Sequence, residues 1–268
     1  MSRTLKVTIA YDGTDYVGWQ AQARGRTVQQ EVERALLTMH HHSVPVVAAG
    51  RTDSGVHADG QVVHFTTDID SLPVDAYCRA LNANLPRDIR ALDATDVDPR
   101  FHARHSALLR TYRYYWRLPG CESATDRRSA PLRRFPSVAR LNAIARPLLG
   151  VHDFSTFTLP SEASPSRVRD VRQLSFFPAK GRLVMEIAAN AFLWRMVRLI
   201  AGTLVELDTA RCEPVEVERR LRARSHHESG AAAPAAGLVL HRVDYGGWAG
   251  SMAQDAPAPA QDTEGGDE

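Results

Sequence analysis

The feature that most limits how this chain can fold is an order of apolar segments that occurs twice. Residues 5–11 alternate apolar and polar side chains and predict a strand. Val28, Val32, Ala35, Leu36 and Met39 then recur on one face of a helix, and Thr27 with Gln30 has the spacing of a capping box ahead of it. Strands over 44–49 and 61–65, a helix over 74–82 and a strand over 89–97 complete a β-α-β-β-α-β series. The second half reads in the same order. Its strands fall at 106–118, 168–177, 183–189 and 238–245, and its helices at 138–149 and 192–207.

Each series has the order of a ferredoxin-like unit, in which helices cover one face of a sheet. The expectation is therefore an α+β chain with one such half over 1–104 and a second over 105–248. A tail over 249–268, rich in Pro, Gly and acids, has too little apolar surface to fold and is expected to be disordered. Two such units can join their sheets and leave a cleft between them. With 268 residues and 44% hydrophobic composition the chain can bury a substantial core. No apolar run approaches the roughly 18 residues of a membrane span, and Met1-Ser2-Arg3 leads straight into the first strand, so a cytoplasmic protein without a signal peptide is expected. Cys78, Cys121 and Cys212 are far apart, which fits reduced thiols and gives no zinc spacing.

Net charge of +2 understates how basic the folded part is. The acidic tail carries five carboxylates and no Lys or Arg, which leaves 33 basic against 26 acidic groups in residues 1–248. Between Arg100 and Arg134 lie nine arginines against only Glu122 and Asp126, interleaved with Tyr112, Tyr114, Tyr115 and Trp116. Such a segment suits nucleic acid, where phosphates set affinity and ring faces accept unstacked bases. It equally suits a solvated basic face whose aromatics turn into the core, and composition does not choose between the two.

The densest chemistry lies in Gly50-Arg51-Thr52-Asp53-Ser54-Gly55-Val56-His57-Ala58-Asp59, between two strands of the first half. A carboxylate at Asp53 on a short connection is held by a rigid sheet. Arg51, two residues earlier, is a fixed positive charge suited to a phosphate or to the carboxylate. Asp53 with Asp59 also forms the carboxylate pair that a hydrolase of glycosidic bonds needs. His57 and His64 flank the turn as candidates for proton transfer, His64 on a strand. His40-His41-His42 invites a metal, but consecutive side chains at a helix end diverge and need further ligands, so a polar helix terminus is the reading adopted. No Gly-rich phosphate loop and no G-x-G-x-x-G after a strand occurs, which argues against nucleotide-dependent chemistry.

The string Gly50-Arg51-Thr52-Asp53-x-Gly55-Val56-His57-Ala58 resembles the core motif of the tRNA pseudouridine synthase A family. So do Tyr11-Asp12-Gly13, Gly18-Trp19-Gln20, Asn82-Ala83-Asn84-Leu85-Pro86-x-Asp88-Ile89 and Phe101-His102-Ala103-Arg104. Arg110-Thr111-Tyr112-Arg113-Tyr114, Gly150-Val151-His152-Asp153-Phe154 and Asn190-Ala191-Phe192-Leu193-x-x-Met196-Val197-Arg198-x-Ile200-x-Gly202 continue the likeness in order. The resemblance implies one mixed, largely antiparallel sheet with a central active-site cleft. It implies isomerisation of uridine to pseudouridine in the anticodon stem-loop of transfer RNA, by a homodimer without a cofactor. It also assigns residues. Asp53 matches the catalytic aspartate, Tyr112 the active-site tyrosine, Arg198 the basic partner of the aspartate, and Arg51 an arginine that assists base flipping. Ser54 departs from the family's usual alanine and is read as solvent-facing, with a hydrogen bond to Asp53 as the alternative. A nucleoside or glycoside hydrolase and a non-catalytic RNA-binding protein are the competing classes.

Overall fold

The computed structural model describes residues 2–121 and 126–246. The expected tail over 249–268 lies outside the described residues, as do positions 122–125 of the arginine-rich stretch. The first half supplies β1 (Arg3–Tyr11), α1 (Val28–His40), β2 (Val47–Ala48), β3 (His57–Thr67), α2 (Val74–Asn84) and β4 (Ile89–Val97). The second supplies β5 (Leu109–Arg117), β6 (Ala130–Pro131), α3 (Val138–Ala145), β7 (Gly150–Asp153) and β8 (Val168–Ala179). β9 (Arg182–Ala189), α4 (Met196–Thr209), α5 (Pro214–Ala223) and β10 (Leu238–Asp244) complete it.

All the strands join one sheet in the order β4-β1-β3-β10-β5-β9-β8-β7, with β2 also on β3 and β6 on β5. Within each series the neighbours run last strand, first, third, second: β4-β1-β3-β2 and β10-β5-β9-β8. That is the ferredoxin-like arrangement, repeated. The joint between the series is β10, which runs parallel to β3 through Val239↔His57 and Leu240↔Ala58 and antiparallel to β5 through Leu238↔Tyr114 and Leu240↔Tyr112. Strands lie about 4.8 Å apart, so Leu240 brings Ala58 and Tyr112 to within roughly 10 Å of each other across the joint.

The strand expected over 44–49 shrinks to Val47–Ala48, which pairs with His64 and Val63 of β3. Pro45 has no amide hydrogen to extend the ladder. Val44 and Val46 are buried nonetheless.

Side chains alternate across the pleat. On β5, Tyr114 and Trp116 enter the core, with ring centroids 4.2 Å apart, while Arg113 crosses to Glu186 of β9 on the opposite face with Nε donating over 2.7 Å. The buried side of β1, β3, β5 and β9 meets α1 through Val32 and Leu36, α3 through Leu141 and Ile144, and α4 through Ile200 and Leu204, in one continuous apolar core. The capping box is present: Thr27 Oγ1 accepts from Gln30 N–H, and Gln30 Oε1 accepts from Thr27 N–H. α4 begins later than its apolar periodicity indicates. Residues 192 and 193 are irregular and 194–195 form a turn, with Arg195 in the left-handed region at φ 60°.

Candidate active site

The Asp53 turn is braced by residues that the sequence brings back onto it. Trp19 N–H donates to Thr52 O over 3.0 Å, Gly55 N–H to Tyr16 O over 3.2 Å, and Val56 N–H to Asp53 O over 3.1 Å. Thr52 Oγ1 and the hydroxyl of buried Tyr11 are 2.8 Å apart, and burial pushes that phenol up to about 12. Gly18, at φ +113°, lets its backbone pass the turn so closely that a Cβ there would stand 2.9 Å from Thr52 O. Gln61 Nε2 donates to Gly50 O over 2.7 Å. The turn is therefore fixed on both sides before its carboxylate meets any partner.

Both oxygens of Asp53 are held. Arg198 Nη1 lies 3.2 Å from Oδ2, and Trp194 Nε1–H donates to Oδ1 over 3.2 Å. Each donor is itself positioned. Arg198 Nε donates to Ala233 O over 2.8 Å, and Ala233 N–H returns to Arg198 O over 2.9 Å, which straps the segment before β10 onto the first turns of α4. The Trp194 backbone is gripped by Glu162, which accepts its N–H, and by Thr158 Oγ1, which donates to its carbonyl over 3.1 Å. Trp194 is 44% exposed, with the Arg195 guanidinium 5.4 Å from the centre of its ring. Arg195 is thus a surface charge beside the site.

Tyr112 reaches the same place from β5. Its ring packs edge-on against Phe192 at 5.1 Å, and its hydroxyl stands 4.0 Å from where a Cβ on Gly50 would be. Burial raises its phenol well above the ordinary value, and the charges of Tyr11 and Asp53 add to the rise, so the hydroxyl keeps its proton. Arg51 is exposed at the start of the turn and forms no ion pair among the described residues. The structure therefore brings Asp53, Tyr112 and Arg198 together, with Arg51 at the rim. Trp194 was missed. Nothing in an apolar-rich helix pattern marks an indole as a donor to a carboxylate 141 residues away.

Other candidates have structural employment. His57 is buried, its Nδ1 accepts from Gly13 N–H over 3.1 Å, and burial lowers its pKa. His64 Nδ1 likewise accepts from Ala103 N–H over 3.1 Å. Ser54 Oγ donates to Tyr16 O over 3.2 Å rather than to Asp53. Asp59 belongs to Arg128, 2.6 Å away, in a groove of about 560 Å³ lined also by Asp12, Arg117, Arg127 and Arg182. Asp53 and Asp59 thus answer to different cations and do not converge on one bond.

The arginine-rich segment is mostly committed as well. Arg110 is buried and donates to the carbonyls of Ala49, Arg104, Ala107 and Asn190, tying the start of the Asp53 turn to the segment before β5 and to the end of β9. Arg100 pairs with Asp98, Arg113 with Glu186, Arg127 with Asp15 and Arg128 with Asp59. Arg104, Arg133 and Arg134 are exposed without an ion pair among the described residues.

A family model described as tRNA pseudouridine synthase matches residues 7–106 and 144–246. The first stretch holds Asp53 and the second holds Trp194 and Arg198, while Tyr112 falls between them. A relative from Treponema denticola is 40% identical over 252 residues, covering 91% of this chain and 93% of its own. One from Shouchella clausii is 42% identical over 248 residues, covering 92% and 94%, and one from Bacillus pumilus is 41% identical over 246 residues, covering 90% and 98%. All three are called tRNA pseudouridine synthase A. Matched on both sides of the joint, and similar to these relatives over nearly their whole length, the chain belongs to the tRNA pseudouridine synthase family.

Proposed function

We propose that this protein isomerises uridine to pseudouridine in the anticodon stem-loop of transfer RNA, with Asp53 as the catalytic carboxylate. The observation that carries this reading is the grip on both Asp53 oxygens by Arg198 and Trp194, beside the buried hydroxyl of Tyr112. Isomerisation breaks the N1–C1′ bond of the nucleoside, turns the uracil and joins C5 to C1′, with a proton leaving C5 and one arriving at N1. The balance closes without oxidant or co-substrate, so no cofactor is required. The detached ring carries negative charge and must not escape, which calls for an oriented, partly dry pocket. Tyr112 supplies a wall, and Arg198 fixes the carboxylate.

A base in a stem-loop must leave its stack to reach Asp53, and Arg51 at the rim occupies the space it vacates. The pairs Arg127–Asp15 and Arg128–Asp59 are solvent-exposed and weak, so a phosphate replaces the carboxylate at little cost. The catalytic turn belongs to a half over 1–104 and Arg198 to a half over 105–248. The working form is a homodimer in the cytoplasm. No helix among the described residues is long and apolar enough to cross a membrane.

The test is to incubate unmodified transfer RNA with the protein, map pseudouridine and measure free uracil. Pseudouridine in the anticodon arm without uracil release, abolished in Asp53→Asn with RNA binding kept, is the expected result. Released uracil indicates a hydrolase, and binding without either product indicates a non-catalytic RNA-binding protein. Turnover by pure Asp53→Asn would remove Asp53 from the chemistry.

A further inference from the structure

The end of β3 remote from Asp53 carries a cluster of side chains that the isomerisation does not use. His40 ends α1, and His41 takes the left-handed conformation at φ 61° that caps the helix, so His42 is turned back toward the sheet. Asp68 directly follows β3. His40 Nδ1 stands 2.8 Å from Asp68 Oδ1, and His42 Nε2 stands 3.0 Å from Asp68 Oδ2. The donor atoms of His40, His42 and Asp68 all lie within 4.8 Å of one another. The diverging side chain expected from three consecutive histidines is that of His41, and Asp68 replaces it.

The remaining nitrogen of each ring is already engaged. His42 Nδ1 is 3.1 Å from Ser43 O, which only accepts, so this nitrogen carries the proton. His42 Nε2 hydrogen-bonds to Asp68 Oδ2, and an ion there would take the place of the bridging proton. His40 Nε2 is 3.0 Å from the Tyr77 hydroxyl, itself 2.7 Å from Thr67 Oγ1. His40 Nδ1 hydrogen-bonds to Asp68 Oδ1, so an ion would replace a proton on the same carboxylate there too. Rings oriented through their far nitrogen, with the near nitrogens converging on one carboxylate, are what a metal site requires. The His40 side chain has no exposed surface, while His42 and Asp68 are open to solvent and give an entry path.

We propose that His40, His42 and Asp68 bind a divalent ion of the zinc class, with water completing the shell. The ion ties the end of α1 to the segment after β3. The eleven residues of β3 place it roughly 30 Å from the Asp53 turn, so it acts on stability and leaves the chemistry alone.

Tag-free protein is stripped with chelator, then titrated with Zn²⁺ against a chromogenic chelator and with Co²⁺ followed by visible absorption. The expected result is one saturable equivalent per chain, with a melting temperature that rises as Zn²⁺ is added. His42→Ala and Asp68→Asn, both at exposed positions, should each weaken binding by roughly tenfold or more and cancel the rise. His41→Ala should change neither, and pseudouridine formation should be the same in all. No saturable equivalent in the wild type, or binding undiminished in both His42→Ala and Asp68→Asn, would overturn the assignment.

Discussion

Replacing Arg198 by alanine removes two contacts whose magnitudes can be worked separately. The Nε–H to Ala233 O bond, at 2.8 Å, is an ordinary hydrogen bond to a carbonyl, and its loss costs about 1 kcal/mol. The ion pair with Asp53 has side chains 15% and 24% exposed, which places it between two regimes. A fully exposed pair contributes about 1 kcal/mol at most. Stripping one partner from a fully buried pair costs about 3–5 kcal/mol. At this intermediate burial about 2 kcal/mol is expected, giving a total near 3 kcal/mol for Arg198→Ala. Arg198→Lys keeps the charge but reaches only one of the two acceptors, so it should lose about half as much. In Asp53→Asn the counter-charge is gone, so adding Arg198→Ala should cost only the carbonyl bond, and the double-mutant cycle should show coupling of about 2 kcal/mol. Urea unfolding at unchanged m-value reads the stabilities, and single-turnover pseudouridine formation reads the orientation of the carboxylate. A loss below about 0.5 kcal/mol together with unchanged turnover, or a cycle without coupling, would refute the reasoning.

Tyr112→Phe keeps the ring against Phe192, so fold and RNA affinity should survive while any step using the hydroxyl slows; Tyr112→Ala opens a cavity and should cost about 3–5 kcal/mol by denaturant melting. Trp194→Phe removes the donor to Asp53 Oδ1 but keeps an aromatic face, and single-turnover rates should fall roughly tenfold with little change in stability. Gly202→Ala would put a Cβ 1.9 Å from Ala231 O, pushing the 231–233 strap off α4 and with it the Ala233 contact of Arg198, so thermal stability and activity should drop together. An equally stable, fully active Gly202→Ala would show that the strap does not hold Arg198.

Much of the fold was legible because its elements bury one face each. Val28, Val32, Ala35 and Leu36 are all buried at helical spacing, and the 89–97 strand has the bounds read from the sequence. The failures have local causes. α5 buries only Val217 and Leu221 beneath a run of ion-paired Glu and Arg, so its apolar face is too thin to mark a helix. β7 and β6 are short pairings of four and two residues, defined by a neighbour's free edge rather than by their own composition. The start of α4 was misplaced because Phe192 and Leu193 continue its apolar spacing, although the left-handed Arg195 interrupts the backbone between them and the helix.

The site was legible only where a carboxylate or a recognised motif announced it, and the reason is topological. Asp53 and Arg198 are 145 residues apart, and no local spacing encodes their contact. It depends on β10, which lies between β3 and β5 and so sets the Asp53 turn beside Tyr112, while the strap ahead of β10 anchors Arg198 through Ala233. Charge density misleads for a related reason. Arg110 and Arg113 count equally with Arg104 in composition, yet the fold spends one on four backbone carbonyls and one on Glu186, leaving Arg104 free for an anion among the described residues. What separates a structural arginine from a substrate-binding one is whether the chain supplies an acceptor within reach, and that is settled by strand order. A segment rich in arginine is therefore a weak pointer to RNA, whereas a carboxylate whose two oxygens are held by donors from one helix start, across the joint of two half-sheets, is a strong pointer to chemistry.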